Sequence, residues 1–108
     1  MVTRERSMIE SLQKRPQMYV FEGSYKVLSS FIAGYNAGLD GRLLEGFSSW
    51  LSVKLGEENS LSWESLILEL AFPQSPNPQE ELKAESKEKL AVKMLFDNVL
   101  EYLTYTGR

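Results

Sequence analysis

The chain contains no histidine and no cysteine. Without histidine it lacks the usual general acid or base near neutral pH, and without either residue it lacks the common ligands of zinc sites and the nucleophile pairs of most hydrolases. The absence of cysteine also removes any disulfide framework, which fits a reducing cytoplasm. Only two of the fifteen acidic residues are Asp (Asp40 and Asp97), and no D-x-D cluster occurs. Carboxylate-only chemistry, a glycosidase pair or a magnesium site, is therefore the one enzymatic route left, and it ranks last among the readings. No run approaches the roughly 20 apolar residues of a membrane span. The opening Met1-Val2-Thr3-Arg4-Glu5-Arg6 is charged, without the apolar centre of a signal peptide. The expectation is a cytoplasmic protein with no metal, no cofactor and no catalytic residues.

What is present suits one folded domain spanning 1–108. Apolar residues make up 43% and charged residues 25% of the 108 positions, a balance that can enclose a hydrophobic core without staples. Apolar positions recur at helical spacing almost throughout. The pattern predicts an all-α fold, a single compact bundle of about five helices over 4–14, 24–40, 42–55, 62–72 and 78–105. Ser7 and Glu10 have the spacing of a capping box. Ser24 and Ser62 read as N-caps, and Asp40-Gly41, Gly56 and Gly107 as helix stops. Asn77-Pro78-Gln79-Glu80 has the residue order of a helix start, leading into a last helix whose buried stripe is Leu82, Leu90, Met94, Leu95, Val99, Tyr102 and Leu103. Polarity over Ala84–Lys89 marks the place where that helix protrudes or breaks.

Several residues invite a structural reading. Met18, Tyr19 and Phe21, on the connector that follows Pro16, are expected to cover one end of the core, and Trp50 and Trp63 to fill it. Gly34 and Gly38 lie inside the second helix, where each costs about 1 kcal/mol relative to alanine. A neighbouring helix crossing closely over them would compensate, and Gly34→Leu would then overpack.

Two resemblances bear on function. Lys14-Arg15-Pro16-Gln17-Met18-Tyr19-Val20 resembles the R-P-G-M-Y segment of type II topoisomerase ATPase subunits, but Gln17 replaces the glycine and no glycine-rich phosphate loop accompanies it, so ATP binding is set aside. The second covers more of the chain. Arg15-Pro16-x-Met18-Tyr19, Ser24, Leu28, Phe31-Ile32-x-Gly34-Tyr35, Phe47-x-x-Trp50-Leu51 and Ser62-Trp63, followed by an apolar closing helix, resemble a group of small bacterial proteins. Members associated with toxin loci are immunity proteins, including those of contact-dependent growth inhibition. The resemblance implies a helical bundle that acts as an antitoxin.

Charge gives the binding hypothesis a location. Residues 1–56 carry net +2 and residues 57–108 net −5. Between 57 and 85, Glu57, Glu58, Glu64, Glu69, Glu80, Glu81 and Glu85 face only Lys83. Such a field attracts a basic protein and repels nucleic acid and anionic membrane. Nuclease toxins hold phosphates in basic clefts, so these seven Glu are the expected partner-binding residues against a toxin domain, a nuclease first among the candidates. The competing expectation is a structural or adaptor module bound to a housekeeping protein. Should the acidic residues not carry binding, the Tyr19–Tyr25 connector and the Tyr102–Tyr105 helix end are the next expected contact, as an aromatic surface.

Overall fold

A computed structural model describes residues 3–56 and 61–107. Among them are five α-helices and no strand: α1 (Arg4–Lys14), α2 (Tyr25–Gly38), α3 (Phe47–Leu55), α4 (Trp63–Ala71) and α5 (Glu85–Thr106), with short 3-10 turns at Pro16–Met18 and Pro78–Lys83. The all-helical expectation is met.

Local chemistry explains most boundaries. Ser24 Oγ accepts the Val27 amide at 3.2 Å and Ser62 Oγ the Ser65 amide at 3.4 Å, so both serines satisfy amides that the first helical turn leaves open. Gly56 and Gly107 end α3 and α5 in the left-handed conformation. The expected Ser7/Glu10 capping box does not form. The helix spans 4–14 as expected, so Ser7 lies inside it, and Thr3 Oγ1 accepts the Arg6 amide at 3.1 Å.

The third helix starts at Phe47 rather than 42. Asp40 (φ 57°) and Gly41 (φ 76°) turn the chain sharply, and Asn36 Oδ1 accepts the Leu44 amide at 2.9 Å. That bond holds a non-helical turn from which the adjacent Leu43 and Leu44 both reach the core. The last helix is also shorter than expected. Asn77 provides no side-chain cap, Pro78–Lys83 winds as 3-10, and Ala84 is extended (ψ 127°) before α5 begins. Leu82 packs on the core and Ala91 lies within it. Nine residues apart, the two would face opposite sides of a continuous α-helix. The break at Ala84 lets both point inward.

α5 is the central post, packed against α1, α2, α4 and the Pro78–Lys83 turn, while α3 rests on α4. Its buried side chains are Ala91, Leu95, Phe96, Asn98, Val99, Tyr102 and Leu103; Leu90, expected inside, is exposed. Arg6 clamps α1 to α5 by donating to the Leu100 carbonyl at 3.3 Å and to Thr104 Oγ1 at 2.9 Å. Ile9, Leu12, Leu28, Ile32, Phe47, Leu51, Leu66 and Ile67 belong to the same core cluster.

Two packing expectations are overturned. Gly34 and Gly38 are exposed, and a Cβ built on either would meet nothing within 4 Å. Tyr25, Leu28, Ser29 and Ile32 carry the buried face of α2, and Gly34, two residues beyond Ile32, is turned by about 200° to the solvent side. The close glycine is Gly46, whose added Cβ would lie 2.8 Å from the Tyr102 hydroxyl. Nor do Met18 and Phe21 cover the core, since both are exposed. Tyr19, half-buried, does pack on the core as expected, and Val20 joins it there. Trp50 and Trp63 line the core edge, half-buried, with ring centroids 6.0 and 5.6 Å from that of Phe47. No helix among the described residues is long and apolar enough to cross a membrane.

Candidate functional site

The N-terminus of α2 gathers carboxylates from three parts of the chain. Glu22 lies two residues before the Ser24 cap, and its Oε1 accepts from Ser24 Oγ at 3.0 Å. Glu88, on the first turn of α5, accepts the Tyr25 amide at 3.1 Å. Both are placed where the unsatisfied amides and positive dipole end of α2 favour negative charge. Glu64, at the start of α4, comes alongside through Tyr25, whose hydroxyl donates to the Glu64 backbone carbonyl at 2.5 Å. Burial pushes the Tyr25 phenol well above its ordinary range, and the nearby Glu64 charge pushes it further.

Three adjoining grooves surround this junction. The largest, about 500 Å³, is lined by Glu22, Ser24, Glu85, Glu88, Lys89 and Val92 among others. A second, about 310 Å³, brings Glu80, Lys26 and Lys83 up to Glu22 and Glu88. The third, about 370 Å³, is rich in hydroxyls, with Ser29, Ser30, Ser62 and Ser65 beside Tyr25 and Glu64.

Of the seven acidic residues expected to bind a partner, the structure places Glu64, Glu80 and Glu85 one on each of these grooves. Glu69, five residues beyond Glu64, is turned by about 140° around α4 and lines none of these grooves. Glu81 serves the fold instead. It accepts from Ser75 Oγ at 2.8 Å and from Lys87, pinning the proline-rich loop to the base of α5. Those two hydrogen bonds, Lys87 first, hold its carboxyl below the usual range. Glu57 and Glu58 lie outside the described residues.

The face is a mosaic rather than a bare acidic field. Lys83 pairs with Glu80 at 2.7 Å, Lys89 with Glu85 at 3.8 Å and Lys87 with Glu81. Lys26 adds a further ammonium. A count along 57–85 includes only Lys83, because Lys87 and Lys89 follow it and Lys26 arrives by folding. Sequence reasoning also passed over Glu22 and Glu88. Glu22 had a local sign, its place just ahead of a capping serine. Glu88 had none, being 63 residues from the amide it serves.

A second surface lies around the end of α5. Trp50 sits 5.3 Å from Tyr102 and 6.3 Å from Tyr105 between ring centroids, and Lys54 Nζ lies 4.4 Å from the Trp50 centroid. Lys54 also donates to Asn98 Oδ1 at 2.8 Å and to Glu101 at 3.0 Å. Compared with protein-family models, with curated proteins and with solved structures, the chain finds no match in any of the three. Among the described residues no group of three or more acidic side chains is placed to hold a metal ion.

Proposed function

We propose that this chain is a protein-binding domain that neutralises a basic toxin domain, a nuclease before other kinds, in the manner of the immunity proteins its sequence resembles. The observation that carries the reading is the convergence of Glu22, Glu64, Glu80, Glu85 and Glu88 on adjoining grooves from three separate stretches of chain. Helix-end hydrogen bonds place Glu22 and Glu88 in advance, so little ordering remains to be done on binding. The lysines beside Glu80 and Glu85 are exposed, and such surface pairs contribute only about 0–1 kcal/mol each. An incoming Arg or Lys can therefore displace them at small cost, and the carboxylates exchange one cation for another. Occupying a phosphate-binding cleft in this way would block it.

The test is charge reversal of Glu22, Glu80 and Glu85 together, leaving Glu81 to hold its loop. Binding to a basic toxin domain co-purified with the chain from its native locus, followed by surface plasmon resonance, should weaken about 100-fold or more, with the melting curve little changed. The association rate of the parent should fall as salt rises from about 0.05 to 0.5 M. Unchanged binding and cell protection would sink the proposal. Binding that survives reversal but is lost in Tyr105→Ala would overturn the acidic contact and move it to the aromatic end.

A further inference from the structure

The connector between α1 and α2 holds its middle inward and its flanks outward. Tyr19 packs edge-on against Phe31 with centroids 5.7 Å apart, and its hydroxyl shares a 2.8 Å hydrogen bond with Ser11. The amides of Tyr19 and Val20 both donate to the Pro16 carbonyl at 2.9 Å. Met18 and Phe21, on either side, are left at 66% and 109% exposure. A lone exposed apolar residue is ordinary, but a fully exposed Phe three residues from an exposed Met, on a backbone tied down between them, has the form of a preorganised contact anchor. Directly after Phe21 comes Glu22, on the wall of the largest of the three grooves described above. That wall carries three carboxylates, Glu22, Glu85 and Glu88, against one ammonium, Lys89, and Val92 contributes an apolar patch.

We propose that Phe21, supported by Met18, is the apolar anchor of the partner-binding surface, and that its occupant is a basic protein surface with an apolar pocket rimmed by Lys or Arg. Charge complementarity selects this occupant. The carboxylate majority repels an anionic membrane, and a second copy would bring the same acidic groove to the interface. The inference rests on the function proposed above but adds what that function lacks, a source of affinity that salt does not screen. Acidic side chains steer and orient, whereas a desolvated aromatic holds the complex together.

The test uses the full chain and defined probes: a short amphipathic helix of leucine and lysine, its counterpart with glutamate in place of lysine, and oligolysine. Phe21→Ala should melt with the parent, because its ring is outside the core. It should bind the leucine–lysine helix about tenfold or more weakly while binding oligolysine within about twofold of the parent. Amide shifts on adding the leucine–lysine helix should centre on residues 18–24 and 85–92. If Phe21→Ala binds that helix as the parent does, the anchor is overturned, although charge-dependent binding of both basic probes would leave the proposed function standing. Equal binding of the glutamate helix would overturn the basic occupant and the function together. A parent that self-associates in sedimentation, with Phe21→Ala monomeric, would assign the anchor to a second copy and overturn the proposal. Shifts centred on Trp50 and Tyr105 would overturn it as well.

Discussion

The aromatic corner around Gly46, Phe47 and Tyr102 and the acidic edge around Glu22, Glu80 and Glu85 use polar groups in opposite ways. At the corner, the buried Tyr102 donates its hydroxyl to the Glu45 carbonyl, and the ring of Phe47 lies 5.1 Å from it. Close packing leaves that corner no slack. At the edge, Glu80 and Glu85 sit in solvent with lysines that water can replace. Substitution at the corner should therefore register in stability, and substitution at the edge in binding.

Gly46→Ala is the strongest way to test that division. At φ 80° the new Cβ is strained, and it would sit 2.8 Å from the Tyr102 hydroxyl. The expected loss is about 2–3 kcal/mol by denaturant melt, from left-handed strain plus the disturbed hydrogen bond. In a Tyr102→Phe background the additional loss should shrink, because the hydroxyl in the way is gone; an unchanged cost would leave backbone strain as the whole effect.

Tyr25 is the exception that sharpens the comparison, since it lies at the edge yet is buried. Its phenol is raised in the folded state, chiefly by burial. Above about pH 10 the unfolded phenol ionises while the folded one stays neutral, so the unfolded state binds fewer protons and stability falls as pH rises. That fall should be about 1.4 kcal/mol per pH unit from this one group. Tyr25→Phe, less stable than the parent at neutral pH for want of the Glu64 hydrogen bond, should become the more stable of the two on the alkaline side. Parallel stability curves for the two proteins would contradict the burial argument.

Smaller effects mark the free surface. Gly34→Ala should raise stability by about 0.4–1 kcal/mol, because the position is helical and open and alanine narrows the unfolded ensemble. A loss on thermal melting would reinstate the close helix crossing that the structure contradicts. Lys83→Ala, which frees Glu80, should change stability by no more than about 0.5 kcal/mol while quickening association with a basic probe.

What could be read in the sequence was what is local. Ser24, Ser62, Gly56 and Gly107 act within one turn of themselves, and each does what its residue type suggests. The break at Ala84 was foreshadowed by polarity, but its cause needs the knowledge that Leu82 and Ala91 share one core. Small residues at helical spacing suggested close packing at Gly34 and Gly38, whereas the tight approach occurs at Gly46, where a turn delivers the backbone to a tyrosine from the far end of the chain. Counting charge along the chain located Glu64, Glu80 and Glu85, three of the five carboxylates on the grooves. The other two, and every tempering lysine but Lys83, come from residues 22–26 and 87–89, which no window over 57–85 contains.

Tyr25 also has a kinetic meaning. Its amide bonds to Glu88 and its hydroxyl to the Glu64 carbonyl, across 63 and 39 residues, so one position joins three helices that are distant along the chain. Neither link can form until long loops have closed, whereas α5 can wind on local bonds alone. The expectation is that the junction forms late on the folding pathway. Weakening it by Glu88→Gln should leave the refolding arm of a chevron plot nearly unmoved and raise the unfolding arm, with the native state opening sooner.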